Sequence, residues 1–177
     1  MSRPQPCPHA AKLQHPQVVW WCPQLPPSPR AAMQFVMAGI AAWPRASMAV
    51  VGSSLGGFYA TQVAHAFDCK AVLLNPAIDP ARDLAKYIGE QTAWHAPDER
   101  FFFEPGFVDE LRALEVRGLQ HPENYLAVIA KGDEVLDWRE MTGRYPGARI
   151  KLLESGDHAL SDFDQHMAEI TDFLMLA

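Results

Sequence analysis

The sequence predicts an α/β protein built on a doubly wound, mostly parallel sheet flanked by helices. Short apolar runs rich in β-branched residues alternate along the chain with longer segments of helical periodicity, as in repeated strand–helix units. One predicted strand, residues 47–51, leads through the glycine-rich turn 52–56 directly into a helix over Leu55–Phe67. Because a buried parallel strand has a continuous apolar sequence, we expect the strand before this turn to lie inside the sheet.

The chain before this turn is predicted to contain one further strand and one helix. Residues 1–17 are rich in proline and are predicted to be irregular, and residues 18–22 are a strand candidate. A helix is predicted to begin after Ser28 and to end at Ala42. Serine is a good N-cap residue, and the proline that follows it suits the first helical position.

The chain after the turn continues the alternation to its end. The predicted strands are residues 71–74, Tyr125–Ala130 and Arg149–Leu153. The predicted helices are residues 80–87, 106–116, 137–143 and 162–176. Residues 90–120 begin with a stretch that breaks the pattern, and we interpret them as an excursion over the edge of the sheet at which the strands end. Residues 1–177 are therefore predicted to form a single domain.

The composition argues against several classes of protein. The chain has 177 residues, 49% of them hydrophobic and 20% charged, which suits one domain with a sizeable core. A net charge of -6 argues against nucleic acid or an anionic membrane as the main partner. The longest apolar run is too short for a membrane span, and we recognise no secretory signal. The three cysteines are scattered without metal-ligand spacing, which favours free thiols in the cytoplasm and predicts no metal site.

The turn between the predicted strand and helix has the G-x-S-x-G pattern of a nucleophile elbow. A serine that attacks a carbonyl must stand clear of the sheet, and the residues two before and two after it then approach each other closely. Gly52 and Gly56 remove the side chains that would collide, which selects Ser54 as the nucleophile. The backbone N–H of Leu55 would point at the developing oxyanion. The motif alone is weak, because a glycine-rich turn can equally be structural.

Two loops further along the chain supply the partners that a catalytic serine needs. Asp133 follows the strand Tyr125–Ala130, and His158 follows the strand Arg149–Leu153. Because the functional loops of a parallel α/β sheet follow the carboxyl ends of the strands, we expect both residues at the same edge as Ser54. The order Ser…Asp…His is that of α/β hydrolases. An imidazole can take a serine proton near neutral pH, and a carboxylate on its other nitrogen fixes the tautomer.

Alternatives remain open for the residues around these loops. His158 has the alternative of a structural loop histidine. Asp137 is favoured as the cap of the following helix, and Asp157 is too close to His158 in sequence to orient it easily. Asn75 is interpreted as a turn residue at a strand end, with a smaller chance of lining the site.

A group of aromatic residues is a candidate pocket for the acyl chain of a substrate. Its members lie in or beside the predicted excursion: Trp94, Phe101, Phe102, Phe103 and Phe107. Ordinary packing in the core is the alternative for each member.

Together these motifs resemble the α/β-hydrolase superfamily and, more narrowly, the YqiA/YcfP-like small bacterial esterase family. Five segments carry the resemblance: residues 22–29, 52–59, 73–77, 132–137 and 155–159. The resemblance implies a serine esterase, without metal or organic cofactor, that acts on acyl esters or acyl thioesters. Carried over to this sequence, it makes Ser54 the nucleophile, His158 the general base and acid, and Asp133 the orienting carboxylate.

The chain departs from this family at its start. Family members open with an apolar strand that ends in His-Gly, and the loop that follows supplies a second oxyanion N–H. No such strand precedes residue 18, whereas residues 2–5 resemble the segment that follows the motif. We therefore expect the first strand to be missing because Met1 is a mis-called start. Two further functions remain as alternatives: a truncated, non-catalytic or weakly active hydrolase remnant, and an acyltransferase or thioesterase with the same triad.

Overall fold

The computed structural model of the protein describes residues 17–93 and 96–175, with side chains except those of residues 93–99. The predictions for residues 1–16 and for Trp94 lie outside the described residues. The strands are β1 (Ala49–Ser53), β2 (Lys70–Leu74), β3 (Gly89–Ala93), β4 (Ala96–Phe103), β5 (Tyr125–Ala130) and β6 (Arg149–Leu153). The α-helices are α1 (Pro29–Ile40), α2 (Leu55–Phe67), α3 (Pro80–Leu84), α4 (Pro105–Ala113), α5 (Trp138–Arg144) and α6 (Met167–Leu174).

Four of these strands form a parallel sheet in the order β1–β2–β5–β6, which confirms the predicted fold class. Their carboxyl ends are aligned: Ser53 pairs with Leu74, and Ala130 pairs with Leu153. The central position of β5 leaves all six of its residues buried, which is why it has a continuous apolar sequence. The loops that follow the four strands therefore leave the sheet at one edge.

Apolar clusters cover both faces of the central strands β2 and β5. Leu73 and Ile129 face the larger cluster, to which α1, α2, α4 and α5 contribute buried side chains. Val72 and Val128 face the smaller cluster, which contains Ile170 of α6. Alternate residues of the central strands thus point into different cores, and the helices on both faces confirm the doubly wound arrangement. The prediction that the strand before the elbow lies inside the sheet is wrong, because β1 stands at one end of the strand order in the described part of the chain and its residues are exposed or half-buried.

The boundaries of the helices and strands differ from the predictions by a few residues in most cases. The bounds of α2, β5 and β6 are as predicted. Ser28 caps α1 as predicted, since its side chain accepts a hydrogen bond from the Ala31 N–H, but the helix ends at Ile40. The last predicted helix is divided into a 3-10 turn, Phe163–His166, and α6.

The prediction of a strand at residues 18–22 is wrong, because this segment pairs with none of the strands in the described part of the chain. The side chain of Trp21 packs beside α1 instead. The ring of Trp21 lies 5.8 Å from that of Phe35 and 6.3 Å from that of Trp43, between ring centroids. Gly39 leaves room for this packing, since a Cβ there would overlap the Trp21 ring. An apolar run without a hydrogen-bonding partner strand cannot form a ladder.

The segment interpreted as an excursion contains a hairpin that the sequence analysis did not predict. Strands β3 and β4 pair in antiparallel fashion and form a sheet separate from the main one. Helix α4 follows directly. The position of this segment over the active-site edge stays a prediction. Among the helices of residues 17–93 and 96–175, none has the length and hydropathy required to cross a membrane.

Candidate active site

Ser54 occupies a strained turn between β1 and α2. Its φ of 52° and ψ of -122° lie in a region that residues with a side chain rarely adopt. A Cβ added at Gly52 would overlap the carbonyl oxygen of Gly56, so this position requires glycine. A Cβ at Gly56 would meet no atom within 4 Å, so the predicted steric need for glycine is wrong at that position. It is the backbone of Gly56, not its missing side chain, that approaches Gly52.

The end of β2 and the turn that follows it are hydrogen-bonded to the backbone of Ser54. The Ser54 N–H donates to the Leu74 carbonyl at 3.0 Å, and the Ser54 carbonyl accepts from the Ala77 N–H at 2.9 Å. A Cβ at Gly57 would lie 2.7 Å from the Pro76 Cβ, closer than real Cβ contacts allow. Glycine at this position therefore lets the first turn of α2 sit directly on the turn after β2.

The structure brings Ser54, His158 and Asp133 into one hydrogen-bonded chain. The Oγ of Ser54 lies 3.0 Å from Nε2 of His158, and Nδ1 of His158 lies 2.8 Å from Oδ2 of Asp133. An ionised carboxylate can only accept, so Nδ1 carries the ring proton and Nε2 is left to accept from the serine hydroxyl. The Asp133 side chain is fully buried, and that of His158 is 19% exposed.

Hydrogen bonds hold Asp133 in its ionised form. Its Oδ1 accepts from the N–H groups of Val135 at 2.8 Å and Leu136 at 2.9 Å, while its Oδ2 faces His158. Burial by itself raises the pKa of this carboxyl group. The hydrogen bonds from His158 and the two N–H groups outweigh it, so the pKa of Asp133 is lowered from its ordinary value.

Two glycines allow the loop of Asp133 to contact the loop of His158. A Cβ added at Gly132 would overlap the carbonyl oxygen of Gly156. Gly156 itself has a φ of 107°, a conformation that L side chains rarely adopt. Because these glycines stand one residue before Asp133 and two before His158, their close approach sets the separation of the acid from the imidazole.

The two other aspartates considered at this edge have local hydrogen-bonding partners. Asp137 caps α5, where its Oδ1 accepts from the Arg139 N–H at 2.9 Å. Asp157 accepts from the N–H of Ser161 at 2.9 Å and from the Ser161 hydroxyl at 2.6 Å, and these bonds lower the pKa of Asp157. Both observations agree with the assignment of the His158 partner to Asp133.

Two further residues are hydrogen-bonded to the backbone of the His158 loop. The sequence singled out Asn75 as a turn residue with a smaller chance of lining the site, and it gave no role to Glu134. Asn75 is fully buried, and its amide group donates to the backbone carbonyls of Asp157 at 3.0 Å and His158 at 3.2 Å. Its Oδ1 accepts from the Ala130 N–H at 2.8 Å. The carboxylate of Glu134 accepts from the His158 N–H at 3.0 Å. An asparagine before a proline at a strand end is typical of a turn, and no local signal revealed these contacts.

The helix that follows the nucleophile supplies a candidate oxyanion donor. Leu55 is the first residue of α2, and the first N–H groups of a helix have no partner within it. The assignment of the Leu55 N–H to the oxyanion stays a prediction. In the described part of the chain, no group of three or more His, Cys, Asp or Glu side chains could hold a metal ion.

The aromatic residues predicted as an acyl pocket have different environments. Phe103 and Phe107 are buried in the larger apolar cluster and pack edge to face, with ring centroids 5.4 Å apart. Phe101 is partly buried against the same cluster, and Phe102 is 58% exposed. For Phe103 and Phe107 the structure therefore favours the alternative of core packing.

The parallel sheet, the elbow and the loops after β5 and β6 define an α/β hydrolase fold, and solved structures share it. A protein from Agrobacterium vitis S4 matches over 83% of this chain and 69% of its own, with 18% identity and a TM-score of 0.64. Mouse alpha/beta hydrolase domain-containing protein 10 matches over 83% and 70%, with 17% identity and a TM-score of 0.56. Est1E from Butyrivibrio proteoclasticus, with ferulic acid bound, matches over 84% and 68%, with 14% identity and a TM-score of 0.59.

The model of one protein family matches almost the whole chain. The chain belongs to the Uncharacterised protein family (UPF0227), whose model covers residues 7–175. This match and the shared fold confirm the family resemblance seen in the sequence. At the identities above, the solved structures establish the fold, and the chemistry has to be argued from this chain's own residues.

Proposed function

We propose that the protein is a serine hydrolase that cleaves acyl esters of small molecules. The observation that carries this proposal is the continuous chain from Ser54 Oγ through the His158 ring to Asp133 Oδ2, with distances of 3.0 and 2.8 Å. The lowered pKa of Asp133 keeps the carboxylate charged, and a charged acceptor on Nδ1 leaves Nε2 free to act as the base.

The reaction proceeds in two halves through an acyl-serine. Nε2 of His158 takes the proton from Ser54 as Oγ forms a bond to the ester carbonyl carbon, and the carbonyl π electrons move to its oxygen. The Leu55 N–H stabilises this oxyanion. The tetrahedral intermediate then collapses, the bond to the alkoxy oxygen breaks, and the imidazolium gives its proton to the leaving alcohol. Asp133 stabilises the imidazolium while it exists.

Water completes the reaction with the same groups. His158 removes a proton from water as the hydroxyl oxygen attacks the acyl carbon, and Ser54 leaves with the proton that the imidazolium returns. An acyl thioester enters the same sequence with a thiol as the leaving group. Parallel assays with a short-chain p-nitrophenyl ester and the corresponding thioester measure which leaving group the site prefers. No metal or organic cofactor takes part in the proposed steps, and we propose that they occur in the cytoplasm.

Labelling with a fluorophosphonate probe tests the assignment of the nucleophile. The probe reacts with activated serines, so the wild-type protein is expected to be labelled and Ser54→Ala is expected to abolish the label. Ser53→Ala is the matched control, because it removes the neighbouring hydroxyl on β1 and should leave most of the labelling. Labelling that survives Ser54→Ala would show that another residue is the nucleophile. A folded wild-type protein that takes no label would instead favour the non-catalytic remnant.

A further inference from the structure

The turn that follows β2 contacts both the proposed nucleophile and the proposed base. On either side of Asn75, the Leu74 carbonyl accepts from the Ser54 N–H, and the Ala77 N–H donates to the Ser54 carbonyl. The side chain of Asn75 itself extends the other way, to the backbone of the loop that carries His158. One short turn is thus hydrogen-bonded to the main chain of two residues that lie 104 positions apart in the sequence.

Both the side-chain amide and the backbone N–H of Asn75 are hydrogen-bonded. Its Nδ2 donates to the carbonyls of Asp157 and His158, its Oδ1 accepts from the Ala130 N–H, and its own N–H donates to the Val128 carbonyl at 3.0 Å. The side chain is fully buried. The φ of Asn75 is 39°, in the left-handed region that asparagine, aspartate and glycine adopt more readily than other residues.

We propose that Asn75 is a positioning residue that fixes the ring of His158 against Ser54, an inference that rests on the proposed function. The carbonyl of His158 is held by the Asn75 amide, and its N–H is held by the Glu134 carboxylate. With both backbone groups held, the main chain of His158 has a fixed position, from which the imidazole reaches Ser54 and Asp133. A misplacement of about 1 Å in an active site can lower the rate by about 10².

Two substitutions at Asn75 separate its donor groups from its acceptor. Asn75→Asp keeps an oxygen for the Ala130 N–H but has no donor when ionised and a donor for only one of the two carbonyls when protonated. Asn75→Gly removes the whole side chain while tolerating the positive φ. Both are expected to lower kcat for a short-chain ester by about 10², with KM changed by less than about threefold. A loss confined to KM, or kcat values equal to wild type in both folded variants, would overturn the proposal.

Tyr145→Phe is the matched control for a lost buried hydrogen bond. Tyr145 belongs to the larger apolar cluster, and its hydroxyl lies 3.1 Å from Thr61 Oγ1, which in turn donates to the Gly57 carbonyl rather than to a proposed catalytic side chain. This substitution is expected to lower the thermal midpoint while leaving kcat within about threefold of wild type, since no catalytic group moves. A fall in kcat as large as that of the Asn75 variants would show that general destabilisation causes the loss.

A proton NMR measurement separates failure of this inference from failure of the proposed function. The hydrogen bond from His158 Nδ1 to Asp133 gives a strongly downfield proton resonance, which can be observed whether or not the protein hydrolyses esters. We expect this resonance in wild type and in Tyr145→Phe, and its loss or broadening in both Asn75 variants. Unchanged resonances in folded Asn75 variants would overturn the positioning role, even if esters are hydrolysed. Absence of hydrolysis in wild type would overturn the function alone.

The unaltered protein provides a test if neither Asn75 variant folds. The Asn75 Nδ2 hydrogens face the carbonyls of Asp157 and His158, so they are expected to exchange slowly with solvent. They should also show nuclear Overhauser contacts to the backbone of the His158 loop. Rapid exchange, without such contacts, would contradict the proposal.

Discussion

Replacement of Asp133 by asparagine tests the proposed triad most severely among single substitutions. The amide oxygen of the new side chain can still accept from the N–H groups of Val135 and Leu136, so the loop keeps its shape. The NH₂ group then takes the place of Oδ2, which lies 2.8 Å from Nδ1 of His158. Two donors cannot share a hydrogen bond, so Nδ1 loses its proton and Nε2 acquires one. The imidazole can then no longer accept the proton of Ser54.

The expected loss is large because the wrong tautomer disables the base. In the serine protease triad, the same exchange of a carboxylate for an amide lowers kcat by about 10⁴, which corresponds to about 5.5 kcal/mol of transition-state stabilisation. We expect a fall of this order in kcat for a short-chain ester, measured from initial rates at neutral pH. Circular dichroism and the thermal midpoint establish that the variant is folded.

The matched control carries the same chemical change at Asp137. Asparagine is as good an N-cap as aspartate, so Asp137→Asn keeps the hydrogen bond to the Arg139 N–H and should leave kcat within about threefold of wild type. If Asp137→Asn proved as damaging as Asp133→Asn, or if Asp133→Asn retained wild-type activity, the assignment of the acid would be refuted.

Two further predictions concern stability and the contact between the loops. The pKa of Asp133 is lower in the folded protein than in the unfolded chain, so its contribution to stability is complete above about pH 4 and is lost as the pH falls through the folded pKa. Urea midpoints measured from neutral pH downwards should therefore fall less steeply in Asp133→Asn than in wild type, and equal slopes would contradict this. Gly132→Ala should lower both kcat and the thermal midpoint, because the new Cβ overlaps the Gly156 carbonyl. Gly143→Ala, where a Cβ meets no atom within 4 Å, is its control, and equal effects of the two substitutions on kcat would show that the loop contact is unimportant.

Local patterns were sufficient to predict most of the main sheet. The central strand β5 is a continuous apolar run with all its residues buried, and its bounds follow from the sequence alone. Residues 18–22 have a similar apolar pattern, yet they pack against α1, because strand formation depends on a partner that the local sequence does not specify. The hairpin β3–β4 was not predicted because its residues show only a weak alternation of apolar and polar side chains. They form strands because each strand has the other as a partner.

The proposed catalytic side chains could be predicted because each stands beside a local motif. Ser54 lies in the glycine-rich turn, and Asp133 and His158 follow the ends of strands that were themselves recognisable. Asn75 lies in one of the segments that resemble the family, residues 73–77. Its proposed role depends on contacts with residues 82 and 83 positions away along the chain, which no local pattern specifies. The steric interpretation of Gly56 was wrong because the direction of a missing side chain depends on the exact course of the backbone.

Direct detection of the acyl-enzyme tests the central claim most directly. The protein is mixed with an excess of a slowly hydrolysed ester, quenched in acid within the first turnovers and analysed by mass spectrometry of the intact chain and its fragments. We predict a mass increase of one acyl group, located by fragmentation on Ser54, and no such increase in Ser54→Ala. Hydrolysis by a wild-type protein that carries no acyl group, or an acyl group located on any other residue, would contradict a covalent mechanism at Ser54.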